Sequence, residues 1–454
     1  MRIGLFLQDL ENENWEKRYD EVLALCNKAK LDLLVFPENT LCPNMDELEG
    51  CDIFDIENEG YEIIKNHTLD ISRQAECAII FCHFTNFGQI YSVYGNEYNE
   101  TNDTCTHDYI KYTATEESTF DMKTPLNHED FGYDFIPISL KGHIIGRTIC
   151  YDSTFPLFSR MYGLENIDIL INSTGGHVDY KKWSYFQKVR AIENKCFNLC
   201  VMANYDNSRK NKSYVFAYDR FGCKLPLAIV TSSGLVKNVT DNSIKDALYF
   251  FDIDKTHLVE NKYPRYEDDE YLDQKASTNK NIDMFVDVKN IDSIVSKAVK
   301  IAPDLFCKKE SSYNLILCMV SGNDILIPEK ISELEYNEKL KKIENKRYLI
   351  INKWDEPVSN EFFNGVLSNV LKVRAVENYS ALIFYDGKKE LCLQTGKNKN
   401  AQIVEKNHVN GYGLDFARMT GPEAIWRTSK QVGIKAEWRA GYEDILKYII
   451  KNRN

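Results

Sequence analysis

The chain has 454 residues, more than one comfortable core, so two domains are the first expectation. Its apolar content of 43% and charged content of 27% are ordinary for a globular protein, while a net charge of −12 argues against nonspecific binding to nucleic acid or an anionic membrane. The first thirty residues hold one short strand and an acidic amphipathic segment, so no signal peptide is expected, and no apolar run approaches the ~18 residues of a membrane span.

Thirteen cysteines are scattered without regular spacing, which fits a reducing, cytoplasmic setting. Cys26, Cys82, Cys196, Cys200, Cys318 and Cys392 lie in apolar runs, where a free thiol acts as a small hydrophobe. Cys196 and Cys200 have no second Cys or His pair nearby, so no metal site is expected.

In chain order, Met1–Leu7 alternates apolar residues and reads as a strand. Trp15, Tyr19, Val22, Cys26 and Ala29 then form one stripe of a helix. Leu31–Phe36 is a short buried strand, a helix follows around Glu57–Ala75, and Ala78–His83 is again a strand. The alternation continues through Phe155–Tyr162 (helix), Ile167–Asn172 (strand), Trp183–Asn194 (helix) and Phe197–Ala203 (strand). Tyr214–Tyr218 and Leu248–Ile253 close the series as strands, and the pattern implies an α/β layered domain over 1–265.

Residues 266–284 carry Glu267-Asp268-Asp269-Glu270 and Ser277-Thr278-Asn279-Lys280-Asn281, too polar for a core, and read as a linker. Beyond it, 285–454 reads as a second, smaller α/β or α+β domain. Strands are expected at Asn314–Val320 and Tyr348–Asn352, with a hairpin at Ala381–Gln394 turning at Asp386-Gly387. Helices are expected around Ile331–Ile343, Asn360–Glu377 and Tyr442–Lys451. Lys188-Val189-Arg190-Ala191-Ile192-Glu193-Asn194 recurs as Lys372-Val373-Arg374-Ala375-Val376-Glu377-Asn378, and Ile169–Asn172 is echoed by Leu349–Asn352. This is either a coincidence of two amphipathic helices or a degenerate partial copy, one with no second Cys-Tyr-Asp.

The chemistry centres on Ile149-Cys150-Tyr151-Asp152-Ser153-Thr154-Phe155-Pro156. A cysteine directly after an apolar strand and before turn residues is placed for acyl-transfer chemistry beside a backbone N–H. Leu33–Pro37 repeats the arrangement with Glu38, and Tyr109-Ile110-Lys111 sits on a third short strand between them. Glu, Lys and Cys at strand ends, in that order, resemble the catalytic set of the carbon–nitrogen hydrolase (nitrilase) superfamily. The later Arg190-Ala191-Ile192-Glu193-Asn194 and Tyr218-Asp219-Arg220-Phe221-Gly222 extend the resemblance over roughly 1–265.

The resemblance implies a four-layer αββα sandwich that pairs as a homodimer or higher homo-oligomer. It implies a small-molecule amide or nitrile substrate, no cofactor and no metal. Cys150 would be the nucleophile, Glu38 the general base and acid, and Lys111 with the N–H of Tyr151 the oxyanion donors. Lys123 is a rival to Lys111, and Glu117, Glu116 or Glu129 would be the second glutamate that orders such sites. Arg190 and Glu193 read as a structural ion pair. Leu157 departs from the family, standing where an acid often follows Phe-Pro. Two other classes stay open: transfer of the acyl group to an amine, and a regulated sensor or assembly scaffold.

Overall fold

The computed structural model describes residues 1–9, 15–38, 66–85, 88–94, 109–111, 135–176, 179–204, 212–239, 241–253, 282–310, 312–395, 401–406, 411–416 and 436–453. The chain divides into two compact units, Met1–Lys262 and Tyr263–Asn454. The expected linker segments Glu267–Glu270 and Ser277–Asn281, together with Lys123, Glu116, Glu117 and Glu129, lie outside the described residues.

The first unit runs β1 (Arg2–Leu7), α1 (Trp15–Ala29), β2 (Leu33–Val35), α2 (66–75), β3 (Ala78–Thr85), β4 (Gly88–Tyr94) and β5 (Tyr109–Ile110). It continues with β6 (Ile138–Leu140), β7 (His143–Ile149), a 3₁₀ turn (Cys150–Thr154), α3 (Pro156–Leu164), β8 (Ile169–Gly176), α4 (Tyr180–Asn194), β9 (Phe197–Asn204) and β10 (Tyr214–Tyr218). The strands β11 (Leu227–Thr231), β12 (Gly234–Val239) and β13 (Ala247–Asp252) complete it. Four strands of this unit, β4, β6, β11 and β12, were not anticipated from the sequence.

These strands form two sheets. One has the order β12-β11-β13-β1-β2-β3-β4-β5, and the other β10-β9-β8-β7-β6. In the second, β7, β8 and β9 are parallel and the flanking β6 and β10 antiparallel. Tyr19, Val22, Cys26 and Ala29 of α1, with Leu69 and Ile71 of α2, bury against Phe6, Leu34, Ile79 and Phe250 of the first sheet. On the far side, Trp183 and Ala191 of α4 pack on Cys200, Met202 and Phe216 of the second sheet. The inner faces meet, with the rings of Phe197 and Phe251 6.4 Å apart. Helix, sheet, sheet, helix is the expected αββα sandwich.

In the second unit, β14 (Met284–Val286), α5 (Ile291–Ser296), β15 (Val299–Ala302), β16 (Leu305–Lys309), β17 (Asn314–Ser321), α6 (Pro328–Glu335) and β18 (Lys346–Lys353) come first. After these lie α7 (Ser368–Glu377), β19 (Ala381–Tyr385), β20 (Glu390–Thr395), β21 (Ala401–Ile403), β22 (Tyr412–Leu414) and α8 (Ala436–Asn452). One sheet runs β15 through β21 in order, with β17, β18 and β19 parallel. Its one face packs on α6 and α7, and its other on the pair β14–β22 and the start of α5.

Two sequence expectations need correction here. The helix expected at Ile331–Ile343 starts earlier, with Pro328 in its first turn, and ends at Glu335. Asn337 then accepts a bond from the N–H of Lys339 (3.0 Å), a local turn that competes with helical pairing, and Leu340–Lys342 is a short 3₁₀ turn. The helix expected over Asn360–Glu377 is helical throughout but widens to π geometry at Phe363–Leu367.

The parallel triads of the two units share one register. Thr148, Asn172 and Cys200 pair across β7, β8 and β9, as Val320, Asn352 and Phe384 pair across β17, β18 and β19. Each first strand ends in a 3₁₀ turn and a helix opened by proline, Pro156 or Pro328. Arg190 donates to the carbonyl of Ser153 (2.8 Å) and pairs with Glu193 (2.6 Å). Likewise Arg374 donates to the carbonyl of Ile325 (3.1 Å) and pairs with Glu377 (2.7 Å).

Candidate active site

The site forms where the inner faces of the two sheets of the first unit meet. Strand β2 ends at Val35, and Phe36-Pro37 carries the chain to Glu38, which is 2% exposed. Proline ends the strand here because it cannot donate to the ladder. The hydroxyl of Ser173 on β8 donates to the carbonyl of Phe36 (2.5 Å), tying this turn to the opposite sheet.

Glu38 is held from two sides. Lys111, immediately after β5, donates to Oε1 at 2.8 Å, and the N–H of Gly175 donates to Oε2 at 2.8 Å. The backbone of Glu38 comes so close to Gly175 that a Cβ there would stand 2.8 Å from its carbonyl oxygen. Glycine is therefore required at the end of β8.

Cys150 begins the 3₁₀ turn after β7 with φ +43°, a left-handed backbone that a non-glycine residue adopts at a cost of about 1–3 kcal/mol. Its Sγ lies 3.9 Å from the carbonyl of Gly175. Burial and then the negative charge of Glu38 push the thiol's pKa well above its ordinary value, against the opposing pull of Lys111. Burial alone would lower the pKa of Lys111. The charges of Glu38 and Cys150, the hydrogen bond to Glu38 and the charge of Asp152 outweigh it and raise the ammonium's pKa above the ordinary range. The site thus holds a thiol that is hard to ionise beside the Lys111–Glu38 ion pair.

Glu38, Lys111 and Cys150, the three residues singled out in the sequence, converge on one buried point. Tyr151 follows Cys150 in the turn. Three further contributors were not singled out. Gly175 closes the cradle of Glu38. Asp152, fully buried, accepts a bond from the hydroxyl of Tyr109 (2.9 Å) and so joins the cysteine turn to the lysine strand. Asn172 donates to the carbonyls of Thr148 (3.1 Å) and Cys150 (3.4 Å). Asp152 stands in the Cys-Tyr-Asp motif and Gly175 in a glycine pair at a strand end, so local signals existed for both. Among the described residues no cluster of His, Cys, Asp and Glu suits a metal ion, and no helix is long and apolar enough to cross a membrane.

Comparison with known proteins bears on residues 12–218, which match the carbon–nitrogen hydrolase family. An apolipoprotein N-acyltransferase of Aquifex aeolicus (strain VF5) is 27% identical over 208 residues, 42% of this chain. This chain spans only 44% of that relative's length. An amidase of Nesterenkonia sp. is similar at a TM-score of 0.40 and 15% identity, over 57% of this chain and 92% of its own. A mutant of the Nesterenkonia sp. AN1 amidase, with acrylamide added at its active-site cysteine, gives 0.41 and 14% over 58% and 96%. The matched residues contain Glu38, Lys111 and Cys150, so the similarity to the carbon–nitrogen hydrolase family takes in the whole candidate site.

Proposed function

We propose that the N-terminal unit cleaves a non-peptide C–N bond, in an amide or a nitrile, through an acyl-thioester on Cys150. The observation that carries this reading is the cradle of Glu38, held by Lys111 and Gly175 beside a buried, protonated thiol. Glu38 takes the thiol proton as sulfur attacks the substrate carbon. The negative charge that builds on the substrate's oxygen, or on a nitrile's nitrogen, is met by Lys111 and the N–H of Tyr151. For an amide, the C–N bond breaks, Glu38 returns its proton to the leaving amine, and the acyl group stays on sulfur. Water then gives a proton to Glu38, attacks the thioester and releases the acid, and the proton returns to sulfur.

The same thioester can be taken by an amine, and the 27% identity to an N-acyltransferase favours this as the second reading. Intact-mass spectrometry after incubation with an amide and nitrile library tests the first step. An adduct on Cys150, absent from Cys150→Ala, is expected. Added hydroxylamine separates the readings, since an acyltransferase passes most of its acyl group to the amine and a hydrolase passes it to water.

Lys111 is assigned the oxyanion role over Lys123. The second unit is assigned as a partial copy of the sheet that presents Cys150, lacking that nucleophile, on the support of the shared register and of Gly322 at the position of Cys150. A cytoplasmic, two-fold homodimer completes the reading, with light scattering at micromolar concentration expected to give a mass well above the 52.7 kDa monomer.

A further inference from the structure

The two units offer a comparison inside one molecule, because the same turn is built twice and only one copy carries a cysteine. Asn352 donates to the carbonyls of Val320 (2.9 Å) and Gly322 (3.1 Å), as Asn172 does to those of Thr148 and Cys150. The arginine clamp and its glutamate are likewise present in both. These features make the turn and are indifferent to chemistry.

What lies behind the asparagine differs. In the first unit, the side-chain oxygen of Asn172 accepts from Thr174 (2.7 Å), Trp183 (3.3 Å) and Cys200 (3.3 Å) as well as from Gln187 of α4 (3.2 Å), which also donates to the hydroxyl of Ser153 (3.1 Å). Asn198 of β9 donates in turn to the side-chain oxygen of Gln187 (2.9 Å) and to its backbone carbonyl (2.6 Å). Asn172, Gln187, Ser153 and Asn198 are buried to within 1%. In the second unit the matching positions are Leu371 for Gln187, Ile325 for Ser153 and Leu382 for Asn198, all fully buried in one apolar cluster. The fold therefore accepts hydrocarbon at every one of these places. Burying an amide instead of a leucine side chain forfeits hydrophobic stabilisation and demands a complete set of partners.

The chain of bonds ends on the carbonyl of Cys150. In a trans peptide the C=O and the following N–H point in opposite directions, so gripping this carbonyl fixes where the N–H of Tyr151 points. We infer that Gln187, backed by Asn198, is a positioning residue: it locks the Asn172 amide on the Cys150 carbonyl so that the Tyr151 N–H stays aimed at the developing oxyanion. The inference rests on the thioester reading above and deepens it.

The test compares two reactions of the same thiol in the full chain. Acylation by p-nitrophenyl acetate passes through an oxyanion, whereas alkylation by iodoacetamide does not. Gln187→Leu and Asn198→Leu, which bring in the second unit's residues, are expected to fold and to be alkylated at Cys150 at the wild-type rate. Their acylation rate constant is expected to fall at least about tenfold, with the half-saturating ester concentration little changed. Gln187→Glu keeps an acceptor for Asn198 but loses the donor to Asn172, and should behave like Gln187→Leu. Acylation at the wild-type rate overturns the inference, and so does an equal fall in both reactions, which would mark a structural role. Failure of both leucine variants to fold also overturns it, because tolerance of leucine is its premise. A wild-type protein in which Cys150 is alkylated but never acylated overturns the thioester reading itself, a result distinguishable from all of these.

Discussion

Cys150 and Gly322 adopt the same left-handed backbone, with φ +43° and +45° at the first residue of equivalent turns. Glycine takes that conformation without strain, and cysteine does not. The first unit therefore keeps a strained residue where the second shows that an unstrained one fits. Such strain is expected where a side chain must be presented at a reacting centre.

Replacing Glu38 by Gln should abolish the proton acceptor while leaving the cradle's shape. Acylation of Cys150 is expected to fall by at least about 10²-fold, and the variant should lose stability because Lys111 is left charged and buried. Stopped-flow acylation and thermal unfolding check the two parts. Unimpaired acylation would remove Glu38 from the mechanism.

The pH dependence follows from the raised thiol pKa. Alkylation of Cys150 by iodoacetamide should keep accelerating above pH 9.0, the ordinary thiol value, with no plateau there. In the unfolded chain the same thiol ionises near that ordinary value. Above it the unfolded state binds fewer protons than the native state, so this group makes stability fall as pH rises. Cys150→Ser should flatten that part of the stability–pH curve, measured by urea unfolding between pH 8 and 10. A plateau of the alkylation rate below pH 9.0 would contradict the assigned environment.

Gly175→Ala places a methyl group against the carbonyl oxygen of Glu38. A backbone oxygen cannot swing aside, so the cradle must open. We expect a stability loss of about 1–3 kcal/mol and at least a tenfold slower acylation. An alanine variant with native activity would show that the approach of β8 to Glu38 is not required.

Arg374→Leu separates the two units. It leaves Glu377 buried without its guanidinium and should destabilise the protein by about 3–5 kcal/mol. Acylation of Cys150, measured well below the new melting point, should not change, whereas Arg190→Leu should impair both. Loss of acylation in Arg374→Leu would show that the second unit contributes to catalysis.

Features carried by neighbouring residues were legible in the sequence. Glu38 and Cys150 announce themselves because an apolar strand, a turn and a reactive side chain occupy adjacent positions. Gly175 and the Tyr109–Asp152 bond were not, since their meaning arises only when two sheets meet. The edge strand β15 and its neighbour β16 escaped for a related reason. Half-buried residues such as Phe306 and charged ones such as Lys308 blur the alternation that marks a strand. In the second unit, the repeated Arg-Ala-x-Glu-Asn stretch was visible, but the replacement of Gln187 by Leu371 has no meaning until both are seen behind the same turn.

The hydrogen bond from Tyr109 to Asp152 has a consequence for how activity arises during folding. Lys111 directly follows a strand only two residues long, and Cys150 directly follows a strand of the other sheet. Neither sheet holds a working set of groups by itself. Reactivity should therefore emerge in one step, late, when the halves dock, and a refolding chain should regain secondary structure before its thiol can be acylated. An immature or partly unfolded molecule would then hold Glu38, Lys111 and Cys150 apart.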